Sequence, residues 1–189
     1  MPAKSERIMA YRLRAARATD AEAIAVLHTD SWRRTYRGMM PDAFLDGDVL
    51  ANRRQVWHER LAALDPRRLV SVAMDGDQLA GFICTFAGED PVWGAYIDNL
   101  HVAAARHGQG IGRALMQGTA RWLRDSGDSG GVYLWVMEAN AGARRFYERL
   151  GAANAGTVIK EDPGGGHAPN CRYVWPRVEM LLDGAPPPG

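Results

Sequence analysis

The chain has 189 residues, 47% hydrophobic and 24% charged, which is enough for one compact domain with a sizeable core. Arginine outnumbers lysine 21 to 2, but 22 acidic residues offset this excess to a net charge of +1, so nucleic-acid binding is not predicted. Because no apolar run approaches the roughly 20 residues that span a bilayer, and the first residues lack the apolar core of a secretory signal, a cytoplasmic protein that binds no membrane is expected.

The predicted domain covers residues 10–180. A polar leader at residues 1–9 precedes it, and the tail at 181–189 contains the prolines of GAPPPG, which join neither a helix nor a strand ladder. Both ends are therefore predicted to be flexible. The domain begins with YRLRAA, in which apolar and polar residues alternate as in a strand.

Two helical segments follow this strand. The TDAE segment predicts a capping box between Thr19 and Glu22, ahead of apolar residues at helical spacing. A second helical stretch begins at Pro41 and Asp42 and is interrupted near Gly47. The hairpin RLVSVAMDGDQLAGFICTFA comes next, followed by the strand WGAYIDNLHV.

From Gly110 the apolar period changes to three and four, which indicates an amphipathic helix. The strand GVYLWVM follows it, so this strand and WGAYIDNLHV are best joined by a parallel crossover. Asn140 then precedes a short helix that Gly151 stops, and two strands near 153–160 and 170–180 complete the sheet. The two cysteines and five histidines show no metal-ligand spacing, so no metal is predicted.

Three glycines, Gly108, Gly110 and Gly112, alternate in RHGQGIGRALM where a strand meets a helix. Backbone N–H groups at a helix N-terminus lack partners within the helix, and without β-carbons a pyrophosphate can approach them. A tight connection that binds nothing is the alternative interpretation. The P-loop motif G-x-x-x-x-G-K-[ST] is absent, and the third glycine falls one residue short of the dinucleotide motif G-x-G-x-x-G.

HGQGIG, residues 107–112, resembles the Q/R-x-x-G-x-G/A loop of the GCN5-related N-acetyltransferase (GNAT) superfamily, with His107 replacing Gln or Arg. NAGARRFYERLGA, residues 140–152, resembles the N-x-x-A-x-x-F-Y-x-x-x-G segment of that family, and SWRRTYRGMMPDAFLD is similar to a bacterial branch of unassigned substrate. The resemblance implies an α/β fold: the acyl-CoA N-acyltransferase fold, with a mixed sheet of about seven strands flanked by four or five helices.

The resemblance implies acetyl-CoA as cosubstrate and no metal. Backbone groups at the end of the fourth strand would hold the pantetheine arm and the acetyl carbonyl, where the fifth strand diverges to admit the thioester. Asn140 would contact the arm, although it is equally a good helix N-cap. The implied coenzyme A contacts are Leu100, His101, Val102, His107, Gly108, Gln109, Gly110, Ile111, Gly112, Arg113, Asn140, Ala143 and Tyr147.

By resemblance Tyr147 protonates the leaving thiolate, although it could equally be a core aromatic. Many relatives carry glutamate five residues before the asparagine, but Trp135 stands there and cannot accept a proton. Glu138 and Asp98 are the candidates for the general base. The alternatives are His28 and His101, a water chain, or an amine that is already neutral.

The resemblance implies an N-acetyltransferase that moves an acetyl group to a primary amine of a small molecule or peptide by direct attack. The rival is a sensor or assembly module that binds acetyl-CoA without turnover, and a homodimer is compatible with both. Aromatic residues either line an acceptor pocket or belong to the core, namely Trp32, Tyr36, Trp57 and Trp93. Arg33, Arg34 and Arg37 either bind a carboxylate or form a solvated face.

Overall fold

The computed structural model describes residues 11–128 and 130–183. Its strands are β1 (Arg12–Ala15), β2 (Arg68–Asp75), β3 (Gln78–Asp90), β4 (Gly94–Val102), β5 (Val132–Met137), β6 (Ala153–Glu161) and β7 (His167–Trp175). Its α-helices are α1 (Ala21–Thr35), α2 (Asp42–Asp46), α3 (Val49–Ala62), α4 (Ile111–Asp125), α5 (Ala141–Arg149) and α6 (Met180–Asp183).

The seven strands form one mixed sheet in the order β1-β2-β3-β4-β5-β7-β6. Only β4 and β5 pair in parallel within the described chain, and α4 connects them. The predicted hairpin, the parallel crossover and the mixed sheet are therefore confirmed. The described residues form six α-helices where four or five were expected, because α6 forms where the predicted domain ends and the tail was predicted to be flexible.

Helices cover both faces of the sheet. On one face α4 buries the apolar residues that set its period, together with the inward side chains of β3, β4 and β5. On the other face α1 and α3 bury Ile24 and Trp57 against Val72 and Phe82. The sheet is thus covered by helices on both sides, and its strands read as nearly continuous apolar runs at the centre.

The centre of the sheet is irregular where the parallel strands meet. The β4–β5 pairing covers only Ala95–Val132, Tyr96–Tyr133 and Ile97–Leu134. A bulge in β4 follows, because Ile97 lies opposite Thr85 while Asn99 lies opposite Cys84, which leaves Asp98 as the extra residue. Beyond this bulge the two strands diverge, so the end of β4 has an unpaired edge facing β5.

The capping box predicted between Thr19 and Glu22 is wrong. A 3-10 turn at Ala18–Asp20 precedes α1, and the Asp20 carboxylate accepts the backbone N–H of Arg17 at 2.7 Å. The Glu22 carboxylate instead forms an ion pair of 2.6 Å with Arg54 on α3. The helix begins close to the predicted position, but a different acidic side chain satisfies the free backbone donor.

The strand predicted near 170–180 is also displaced. β7 already begins at His167, so the last residue of GGGH belongs to the strand, and it ends at Trp175. The chain then turns into α6, whose Leu181 is buried in the core that also contains α4. The folded region therefore extends past residue 180. The predicted leader at 1–9 and residues 184–189 lie outside the described residues.

Replacing Leu181 by alanine should lower the free energy of unfolding by about 2–5 kcal/mol, because the change leaves a cavity in the core. Leu64 is fully exposed, so Leu64→Ala is the matched control and should change stability by less than about 0.5 kcal/mol. Urea unfolding of both variants measures the difference. Equal stabilities for the two variants would mean that α6 does not pack as described.

Candidate functional site

Two cavities open where β4 and β5 diverge. The first, here the loop cavity, has a volume of about 550 Å³ and lies between the end of β4, the 106–113 loop and α5. The second, the sheet cavity, has about 350 Å³ and lies between α1, α3 and strands β4 to β7. Tyr36 borders both cavities, so they meet at its side chain.

The 106–113 loop presents unpaired backbone donors to the loop cavity. No described carbonyl or side chain accepts from the N–H groups of residues 108–113, although Ala114 already donates to Gly110 at 3.0 Å. Gly108 and Gly110 have φ of +76° and +81°, and Gly110 is the N-cap of α4. These left-handed conformations turn successive donors outward at a helix N-terminus, which is an arrangement suited to phosphate oxygens.

Gly112 has a role in helix packing, whereas the sequence suggested that it gives phosphate access to the backbone. A β-carbon at this position would lie 3.1 Å from the Phe146 ring, so the glycine lets α4 pack closely against α5. The cavity wall also carries Arg113 and Arg149, which place positive charge beside the loop. The Gln109 side chain, in contrast, does not line the cavity and reaches the Ala105 carbonyl at 3.4 Å.

The unpaired edge of β4 forms another wall of the loop cavity. Ala103 donates its N–H to Ala80 on β3, and backbone groups alternate along a strand, so the N–H groups of Leu100 and Val102 point away from β3. His107 lies across this edge, with its Nε2 2.9 Å from the Val102 carbonyl oxygen. The histidine that departs from the family motif is therefore bound to the strand that the loop follows.

Asn140, Tyr36 and Tyr147 form a polar cluster at the junction of the two cavities. The Asn140 side chain caps α5 by accepting the Ala143 N–H at 3.1 Å, and its amide also lies close to the Tyr36 hydroxyl. Burial first, and the nearby Tyr36 second, raise the pKa of Tyr147. Its hydroxyl is therefore protonated at neutral pH, as a proton donor must be.

The Tyr147 ring is at once a core aromatic and a cavity residue. It is 9% exposed and packs against Phe146, Tyr173 and Trp175, with ring centroids 5.3–6.3 Å apart. The same residue lines the loop cavity beside Asn140. The packing holds the phenol in a defined position, so the two interpretations of this residue are compatible.

Asp98 projects into the sheet cavity from the bulge in β4. Its carboxylate pairs with Arg60 at 2.6 Å, contacts the Asn99 amide and lies close to the Tyr96 hydroxyl. Burial and then the adjacent Asp98 charge raise the pKa of Tyr96, which keeps that phenol neutral. Asp98 is thus held by polar partners at the point where the strands separate.

The other proposed bases lie elsewhere. Glu138 is exposed and lines neither cavity. His101 does line the loop cavity, where Ser31 Oγ contacts its Nδ1 at 2.8 Å, but burial and the neighbouring Arg53 lower its pKa to about 3. His28 is fully buried, accepts the Trp57 indole N–H at 3.0 Å, and burial lowers its pKa. Both histidines are therefore neutral at physiological pH.

Trp135, which stands where the resemblance implied a glutamate, lies beside two cationic side chains. The Arg172 guanidinium and the Lys160 ammonium both lie over the Trp135 ring, each 4.4 Å from its centroid. Burial and the Arg172 charge lower the pKa of Lys160. Trp135 and Lys160 line the sheet cavity. A tryptophan in contact with two cations thus stands where the resemblance implied an acidic group.

The residues suggested for acceptor binding separate into two groups. Trp32 and Tyr36 line the sheet cavity, whereas Trp57 is in the core and Trp93 packs on Arg172 outside the cavity. The three arginines already have partners elsewhere: Arg33 donates to the Leu45 carbonyl, Arg34 pairs with Asp30, and Arg37 pairs with Asp42 and Asp46.

The fold is shared with solved acetyltransferases. The PaiA N-acetyltransferase of Thermoplasma acidophilum, solved in complex with coenzyme A, superposes with a TM-score of 0.67 over 87% of this chain and 97% of its own, at 17% identity. That identity supports the fold alone.

No helix within residues 11–128 and 130–183 is long and apolar enough to cross a membrane. The same residues contain no group of three or more potential ligands arranged to hold a metal ion.

Sequence comparisons define the family. Residues 29–152 match the model of the acetyltransferase (GNAT) family. A probable N-acetyltransferase of Mycobacterium tuberculosis is 31% identical over 143 residues, which are 73% of this chain and 77% of that protein. Streptothricin acetyltransferase of Streptomyces lavendulae is 39% identical over 94 residues, 49% of this chain and 47% of that protein. The chain belongs to the GNAT family and is an N-acetyltransferase.

A negative charge in the glycine loop should weaken anion binding there. Gly108→Asp should raise the dissociation constant of acetyl-CoA by about tenfold or more, because the carboxylate would stand where phosphate oxygens approach. Gly127→Asp is the matched control, since Gly127 has φ of +80° and equally open surroundings near the other end of α4. Calorimetric titration measures both. An unchanged constant for a folded Gly108→Asp protein would contradict the assignment of the loop.

Proposed function

We propose that this N-acetyltransferase uses acetyl-CoA and transfers its acetyl group to a primary amine of a small molecule or peptide by direct attack. The observation that carries the proposal is the run of unpaired N–H groups at residues 108–113, beside a neutral, buried phenol. This loop binds the pyrophosphate, and the unpaired edge of β4 holds the arm that carries the thioester. The sheet cavity then takes the amine.

The residues of the chain have separate tasks in this reaction. The N–H groups of Leu100 and Val102 orient the arm and polarise the acetyl carbonyl. Asn140 positions the arm and lies beside Tyr36, which borders both cavities. Tyr147 donates its proton to the departing sulfur. Positioning supplies most of the acceleration, since no covalent intermediate with the protein is needed.

Every coenzyme A contact implied by resemblance, apart from Gln109, lines the loop cavity. The Gln109 contribution in this proposal is therefore its backbone N–H.

The rival function, binding without turnover, has a weaker basis here, because such a module has no use for a protonated phenol at the thioester. Incubation of the protein and acetyl-CoA with a panel of amines, followed by mass spectrometry, tests the proposal. Tight acetyl-CoA binding with no acetylated amine would support the module instead.

Tyr147→Phe should lower kcat by about 10²-fold to 10⁴-fold, the usual size of general-acid catalysis, with little change in the dissociation constant of acetyl-CoA. The substitution removes one hydroxyl and keeps the packed ring. Tyr133→Phe is the control, since Tyr133 is a buried tyrosine on β5 that lines neither cavity.

Steady-state and single-turnover rates separate the outcomes of this experiment. A normal kcat for Tyr147→Phe would remove Tyr147 from the chemistry, and a loss in Tyr36→Phe alone would transfer the role to that neighbour. Weaker acetyl-CoA binding with normal kcat would make the Tyr147 hydroxyl a binding group.

Asp98 is our candidate for the general base, because it lies on the wall of the sheet cavity whereas Glu138 lies outside it. Asp98→Asn should lower kcat/KM at neutral pH and regain activity at higher pH, where the free amine has lost its proton. Glu138→Gln should keep the wild-type profile. Equal losses for Asp98→Asn at every pH would instead give Asp98 a positioning role through Arg60 and Tyr96.

A further inference from the structure

Arg53 in the sheet cavity has no acidic partner among the described residues. Arg53 on α3 is 8% exposed, and its guanidinium lies 4.4 Å from the centroid of the Trp32 ring. Its Nε donates to the Asn52 side-chain oxygen at 2.9 Å, and its Nη2 contacts the same atom. Among the described residues no carboxylate oxygen lies within 4.0 Å of this guanidinium, and its Nη1 makes no hydrogen bond. Arg53 is therefore a buried cation with a free donor edge.

The acidic residues of the same cavity are already satisfied or lie at its rim. Asp98 is paired with Arg60 at 2.6 Å, so its charge reaches Arg53 only at longer range. Asp162 is buried and accepts the N–H groups of Gly164 and Gly166 at 2.8 and 3.2 Å.

Glu161 also lines the cavity, but its side chain is exposed. Lys160, the third cation of the lining, forms no ion pair with any described carboxylate and stands over Trp135. Arg53 and Lys160 are therefore the cations of the lining that form no ion pair with a described carboxylate, although acids and bases are equally numerous around the cavity.

Burial of an unpaired cation is unfavourable, and its removal from water usually requires a compensating anion. Burial first and Arg60 second lower the pKa of Arg53 to about 10, so its guanidinium remains charged at neutral pH. A planar guanidinium with a free edge binds a carboxylate through two parallel hydrogen bonds. The Trp32 ring supports its plane and restricts its orientation.

The position of Arg53 relates this anion site to the reaction. Its partner Trp32 packs against Tyr36 with ring centroids 5.8 Å apart, and Tyr36 borders both cavities. A molecule anchored at Arg53 therefore extends toward Tyr36 and the loop cavity. We infer that the acceptor is an amine that also carries a carboxylate, of the free amino acid class, with its carboxylate bound by Arg53. This inference rests on the proposed function and specifies its substrate.

The same charges favour such an acceptor over a polyamine. Arg53 and Lys160, which form no ion pair with a described carboxylate, oppose additional positive charge beside them, and they also make the ammonium form of a nearby amine less stable. A carboxylate compensates for this repulsion and brings in an amine that loses its proton more readily. A cavity of about 350 Å³ matches a molecule of amino acid size.

The test compares each of the twenty common amino acids with its primary amide and with the amine that lacks the carboxylate, using wild-type protein and acetyl-CoA. The best amino acid should exceed its amide in kcat/KM by about 10-fold to 100-fold, mainly through KM, because one buried charge-assisted pair is lost. Arg53→Leu should remove this preference, and Arg53→Lys should retain part of it. Arg54→Leu is the matched control, since Arg54 is exposed and pairs with Glu22.

Equal use of acids and amides by the wild type would overturn the inference while leaving the proposed function intact. The same conclusion follows if Arg53→Leu keeps the preference. If no amine is acetylated, the proposed function fails, and calorimetry with coenzyme A present tests the anion site separately. Amino acid binding that is lost in the amide supports the site, whereas no binding of either overturns it. If Arg53→Leu does not fold, the wild-type comparison and Arg53→Lys give the answer.

Discussion

The early end of pairing between β4 and β5 is the constraint on which the rest of the site depends. Parallel pairing stops at Ile97 and Leu134, and the bulge at Asp98 shifts the register of the remainder of β4 against β3. A fully paired sheet would bury the backbone groups of residues 100–102 in a ladder. Because the strands diverge, those groups remain available, and two cavities meet at the centre of an otherwise continuous sheet.

Local features of the fold were predictable because they depend on short-range physics. The change of period at Gly110 indicated α4, and the Asn140 and Gly151 signals bounded α5. The errors arose where tertiary contacts decide. Glu22 caps nothing because Arg54 binds it from another helix, and the segment after Trp175 forms α6 because Leu181 packs beneath α4. Neither partner is near in sequence, so no local pattern indicates the outcome.

The candidate site divides in the same way. Backbone features of the glycine loop follow from glycine itself, so the loop was visible in the sequence. Side-chain pairs between residues distant in sequence were not visible in it. Tyr36 lies close to Asn140, and Arg60 pairs with Asp98, only because helices α1 and α3 lie over the diverging strands. Arginine composition was equally uninformative, because Arg34 and Arg37 have acidic partners at the surface, whereas Arg53 is buried and has no acidic partner among the described residues. Burial and pairing, rather than residue type, distinguish them.

The substitution at Trp135 changes how the acceptor amine can be made reactive. A carboxylate there would attract a proton, whereas Trp135 holds the positive groups of Lys160 and Arg172 over its ring. Positive charge destabilises an ammonium ion, so in the proposed reaction these cations would take over part of the task of a base. They would also repel a simple cationic amine on entry. An anionic group on the acceptor resolves this conflict, because it is attracted by the same charges that favour the neutral amine.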